Sequence, residues 1–108
     1  MTHVTYSDYR DTQEFECVGH TGYAPLGADI LCSAVSCLCY TLDAYLSKAY
    51  DEGKIKSYSS DFRDGSVNVR FEYSEEYDSA AIREAVGAIL YGFVLLEESF
   101  PEYIDADV

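Results

Sequence analysis

Hydrophobic and polar positions alternate over Val4-Thr5-Tyr6 and again over Glu14-Phe15-Glu16-Cys17-Val18, where Phe15 and Cys17 share one face and the glutamates the other. A period of two marks a half-buried strand, and the polar turn around Asp11-Thr12 between the two runs predicts a hairpin. The period then changes. From about Asp29 to Tyr50, the residues Leu31, Val35, Leu38, Leu42, Tyr45 and Ala49 recur at spacings of three and four, the stripe of an amphipathic helix. Gly53 ends that helix, with Lys48 near its last turn, where the helix dipole favours a cation. Tyr58–Arg63 and Ser66–Tyr73 read as strands joined at Asp64-Gly65, a strong turn pair. In the second strand Val67, Val69, Phe71 and Tyr73 face one way and Asn68, Arg70 and Glu72 the other. A final helix starts near Asp78-Ser79, either of which can cap it. It carries Ile82, Val86, Ile89, Phe93 and Leu96 and stops at Pro101. Gly87 and Gly92 inside it each cost about 1 kcal/mol relative to alanine, which points to a close neighbour in the same or another subunit.

The predicted order is β-β-α-β-β-α. Two helices packed on one face of a largely antiparallel four-stranded sheet bury every one of these stripes, so the fold class is two-layer α+β. At 108 residues the chain is one domain, residues 1–108. A chain of this size buries roughly two-thirds of its unfolded surface, enough for one core without disulfides or structural metal. Linkers, repeats and low-complexity tracts are not apparent.

Composition narrows the partners. Hydrophobic residues make up 48% of the chain, which excludes a disordered polymer despite the charge. The net charge of −13 repels nucleic-acid backbone and anionic lipid, so no direct nucleic-acid or membrane partner is expected. It attracts a basic partner equally well, although solubility alone accounts for many acidic surfaces. The N-terminus shows no signal-peptide pattern, and the longest mostly apolar run, Gly87 to Leu96, is about half a membrane span. A cytoplasmic location is expected, with Cys17, Cys32, Cys37 and Cys39 as reduced thiols.

The candidate chemistry lies in GHTGYAPLGADILC, residues 19–32. Cys32 falls in the first helical turn, where free amides and the dipole stabilise a thiolate and can hold an oxyanion. His20, twelve residues earlier, supplies the base that a nucleophilic cysteine needs. The segment Thr21, Gly22, Tyr23, Ala24, Pro25, Leu26 and Gly27 is turn-rich, suited to folding over a bound peptide. Each feature also has an ordinary reading: a buried thiol, a surface histidine and a plain loop. Asp29 is placed either to cap the helix or to orient His20 as a third member of a triad; its charge opposes a neighbouring thiolate. No metal is expected, because Cys37 and Cys39 lie two apart on a helix and face nearly opposite ways.

The residues Gly19-His20, Gly27, Asp29-Ile30-Leu31-Cys32 and Ala34-Val35-Ser36 together resemble the ribosomal-processing cysteine protease family, Prp. Phe100-Pro101-Glu102-Tyr103-Ile104 resembles that family's closing segment. The resemblance implies a homodimeric cytoplasmic cysteine peptidase, without cofactor. Such enzymes trim the N-terminal extension of large-subunit ribosomal protein twenty-seven. It implies Cys32 as nucleophile and His20 as general base, with Gly19, Asp29 and Ser36 supporting the site. Ala28, Leu31 and Ser33 stand where the family more often has Gln, Val and Ala, and none of these changes removes a catalytic group. Cys37 and Cys39 are extra thiols expected to pack in the helix. The rival expectation is a non-catalytic ribosome-assembly or peptide-binding module using the same cleft.

Overall fold

The computed structural model describes residues 1–24 and 29–108. Strands β1 (Thr2–Tyr9) and β2 (Thr12–Val18) form the first hairpin, followed by helix α1 (Ile30–Asp51). Strands β3 (Ile55–Arg63) and β4 (Ser66–Tyr73), helix α2 (Ala80–Ser99) and strand β5 (Ile104–Asp107) complete the chain.

The sheet has five strands, in the order β3-β4-β2-β1-β5. This corrects the four-stranded antiparallel expectation. Three pairings are antiparallel, but β5 runs parallel to β1, with Thr2 opposite Ile104 and Thr5 opposite Asp107. The fifth strand is only four residues long, and its partner lies at the other end of the chain, so no local hairpin signal announces it. Its edge is anchored by Glu97 of α2, whose Oε2 accepts from the Ala106 amide at 2.8 Å.

The core forms where α1 and α2 cover the inward face of the sheet. Phe15, Val69 and Phe71 from the strands meet Leu42, Leu46 and Phe93 from the helices, all essentially inaccessible; the Phe15 and Phe93 ring centroids are 5.4 Å apart. Each such side chain contributes roughly 1.5–3 kcal/mol by leaving water. The helical stripes are rotated slightly from the expected ones. On α1, Cys39 and Leu46 are buried while Leu38 and Tyr45 are half-buried, and on α2 Leu90 takes the place of Ile89. The two helices also touch each other along a shared seam. Gly92 lies in it: a β carbon there would come 2.8 Å from Leu38 Cδ2. Gly87 faces open space.

By length and by its mean hydropathy of 1.4, α1 could cross a membrane. The apolar run anticipated from sequence lay in α2 instead. Leu31, Val35, Cys39, Leu42, Leu46 and Ala49 of α1 are buried against the domain's core. The far face of the sheet is polar. There Glu14 accepts from Asn68 Nδ2 at 2.7 Å and from Arg70 Nε at 2.9 Å, bonds that hold its carboxyl below the usual value.

Candidate active site

One end of the domain gathers the C-terminal end of β2, the β3–β4 turn, the start of β1 and the first turns of α1. Gly19 joins these parts. Its amide donates to the Gly65 carbonyl at 2.8 Å, and its carbonyl accepts from the Thr2 hydroxyl at 3.1 Å. Its φ is +97°, and a β carbon would overlap the Met1 carbonyl oxygen. Only glycine fits there, which gives the Gly-His pair a physical reason.

His20 leaves this anchor with its side chain 51% exposed. The ring rests on Gly65, where a β carbon would sit 3.2 Å from Nε2. Asp64 Oδ1 lies 3.4 Å from the same nitrogen. The sequence showed Asp64-Gly65 only as a turn; the pairing of β4 with β2 is what brings it beside His20.

Cys32 sits in the first turn of α1, half-buried. Asp29 is the helix N-cap: its Oδ1 accepts from the Cys32 amide at 2.8 Å. The Cys32 amide is therefore engaged by Asp29. Oδ2 of Asp29 accepts from the Thr21 hydroxyl at 2.5 Å and from the amides of Tyr23 and Ala24 at 3.2 and 3.4 Å. Burial opposes ionisation of Asp29, but these bonds, with that from Cys32, outweigh it and hold the carboxyl below its ordinary value. Of the two roles considered for Asp29, the hydrogen bonds show the helix cap, and they also fasten the start of the loop; Asp64 is a second carboxylate beside His20.

His20, Cys32, Gly19 and Ser36 line one cavity of about 400 Å³. Ser36 is one turn beyond Cys32 on the same helix. Tyr40 and Phe62, stacked with centroids 5.0 Å apart, form an apolar wall that the sequence did not single out. Cys17 and Cys39 lie on the cavity's inner side; the hydrogen bond between them, with burial, pushes the Cys39 thiol up. Cys37 is exposed rather than packed, because it falls on the outer face of α1. Among the described residues no cluster of histidine, cysteine and acidic side chains is placed to hold a metal.

Of the loop, Thr21 is buried, Gly22 is exposed and Ala24 is half-buried. The Tyr23 ring packs edge-on against Phe100 and Tyr103, at 5.5 and 5.3 Å. Pro25, Leu26 and Gly27, expected to contact substrate, lie outside the described residues, as does Ala28.

The protein SMU.848 from Streptococcus mutans is 27% identical, with a TM-score of 0.68 over 99% of this chain and 92% of that one. Two structures of an essential ribosomal processing protease Prp from S. aureus share the fold. One, with a covalently linked product peptide, has a TM-score of 0.71 at 16% identity, over 99% of this chain and 98% of that one. The other, with a substrate peptide, has a TM-score of 0.59 at 15% identity, over 96% and 93%. No curated protein sequence matches the chain. The sequence profile of the family described as cysteine protease Prp matches residues 1–105. Nearly the whole chain is covered by that match, and the chain belongs to the Prp family of cysteine proteases.

Proposed function

We propose that this protein is a cytoplasmic endopeptidase that removes the N-terminal extension of large-subunit ribosomal protein twenty-seven through a Cys32–His20 dyad, as a single domain spanning residues 1–108. The observation that carries this reading is the placement of both side chains on one cavity at the start of α1. His20 takes the proton from Cys32 Sγ as the sulfur attacks the scissile carbonyl, and backbone amides at the start of α1 hold the developing oxyanion. His20 then protonates the leaving amine, and water cleaves the resulting thioester. The loop after His20 contacts the peptide, and Gly19, Asp29 and Ser36 support the pair.

The S. aureus relative, whose structures hold a substrate peptide and a covalently linked product peptide, supports a peptide substrate here. The charge of −13 suits a basic ribosomal protein and disfavours nucleic acid or membrane as a direct partner. Homodimerisation is part of the same reading, supported by the outward Tyr91 and Leu95, one turn apart on α2 and 58% and 48% exposed. The test mixes purified protein with the N-terminally extended ribosomal protein and follows its mass. Wild type trims, while Cys32→Ala and His20→Ala do not. Trimming by Cys32→Ala at the wild-type rate would overturn the mechanism, and tight binding without trimming by any form would leave a peptide-binding module.

A further inference from the structure

We propose that Asp64, on the β3–β4 turn, is a positioning residue for His20: it engages Nε2 and so presents Nδ1 to the Cys32 thiol. The inference rests on the Cys32–His20 reading above and adds a residue to it. Asp64 Oδ1 is 3.4 Å from His20 Nε2, a close approach without hydrogen-bond geometry in the free protein, and catalytic hydrogen bonds often align only in the substrate complex. The ring lies against Gly65 with its Nε2 edge, since a β carbon on that glycine would be 3.2 Å from Nε2 and 3.5 Å from Cδ2. The Gly19 amide bonds the Gly65 carbonyl at 2.8 Å. The residue before His20 is thereby tied to the residue after Asp64, and the base and its orienting group form one unit.

The other nearby carboxylate is committed elsewhere. Asp29 takes the Cys32 amide on one oxygen and the Thr21, Tyr23 and Ala24 donors on the other. A neutral imidazole that donates Nε2–H to Asp64 carries its lone pair on Nδ1, the nitrogen then able to accept a proton. The proton balance is simple. Sγ gives its proton to Nδ1, Nε2 keeps its own against the Asp64 carboxylate, and the Nδ1 proton later passes to the leaving amine. Asp64 is never protonated in the cycle; it steadies the ring and the imidazolium charge. Its side chain is 96% exposed, so water competes for the contact and the effect is smaller than in buried triads.

Two measurements on the full chain test this. With histidine labelled with ¹⁵N, the ring-nitrogen shifts of neutral His20 report which nitrogen carries hydrogen. Wild type shows the Nε2–H form, and Asp64→Ala moves toward the mixture of free histidine. In peptide cleavage, Asp64→Ala lowers kcat about tenfold, a part of the roughly 100-fold or more that a positioned base supplies, with KM within about twofold. Asp64→Glu, which keeps an acceptor-only carboxylate on the exposed turn, retains kcat closer to wild type than Asp64→Ala does. An unchanged kcat in Asp64→Ala, a loss without a change of tautomer, or an equal loss in Asp64→Glu would each overturn the proposal. If wild type cleaves nothing, the peptidase reading fails by itself, and the tautomer spectra still decide whether Asp64 holds His20.

Discussion

Replacing Gly19 with alanine should be the most damaging single-carbon change at the active end of the molecule. An L-residue held at φ +97° pays about 1–2 kcal/mol in backbone strain. The new β carbon also overlaps the Met1 carbonyl oxygen, a backbone atom with no flexible tip to move aside. Relief requires the start of β1 to shift, and that breaks the bond from the buried Thr2 hydroxyl to the Gly19 carbonyl, a further loss of about 1 kcal/mol. The expected destabilisation is about 3 kcal/mol. For 108 residues the unfolding entropy is about 0.2 kcal/mol per kelvin, so Tm should fall by roughly 13 °C. Gly22→Ala is the matched control, because Gly22 also has a positive φ, +71°, but no described residue comes within 4 Å of its β position. It should carry only the backbone cost, about 1–2 kcal/mol, and a Tm shift of roughly 4–9 °C. Thermal melts followed by circular dichroism, with urea titrations alongside, measure both. If the two variants melt within about 2 °C of each other, the close approach of Met1 does not matter and the reasoning fails.

In α2, Gly87→Ala should stabilise by about 1 kcal/mol through helix propensity, while Gly92→Ala should lose that gain against Leu38 and be neutral or worse; chemical denaturation separates them, and equal gains would contradict the packing. Timed iodoacetamide labelling with mass mapping should modify Cys32 before the more exposed Cys37, and both before the buried Cys17 and Cys39; labelling in simple order of exposure would count against an activated thiol. Asp29 has its folded-state pKa depressed, so its stabilising effect is complete above the ordinary value of 3.8 and is lost as pH falls through the lower folded value. Asp29→Asn should therefore flatten the acid limb of the stability–pH curve below about pH 4, and an unchanged limb would remove the carboxylate from the account. Cleavage of a basic substrate should slow as salt rises if the charge of −13 steers the encounter; a flat salt response would reject steering.

Periodicity was a good guide wherever an element buries one face locally. The β1–β2 and β3–β4 hairpins, α1 with Asp29 at its cap, and α2 all lie where alternation or three-and-four spacing placed them. The start of β3 was missed because a register shift between Ile55 and Ser57 interrupts the alternation there. Strand β5 was missed for a different reason: Ile104-Asp105-Ala106-Asp107 does alternate, but four residues become a strand only through pairing with β1. The pair at the candidate site, His20 and Cys32, was visible as residue types in a recurring arrangement. Asp64 was not, since nothing local says which side chain a two-residue turn will stand beside. That information resides in the β2–β4 register, which sets Val18 opposite Ser66.

The pairing of β1 with β5 has a consequence for how the chain is made. His3 stands beside Asp105, 102 positions later in sequence, so β1 waits for that long stretch of chain before its second edge is covered. During synthesis β1 and β2 can close as a hairpin early, but β1 remains an open ladder of amides and carbonyls until Ile104–Asp107 arrive. A chain cut short before Ile104 would keep that ladder exposed permanently, next to a partly uncovered Val4. Such fragments should pair with one another edge to edge, and the last four strand residues therefore act as the molecule's guard against self-association.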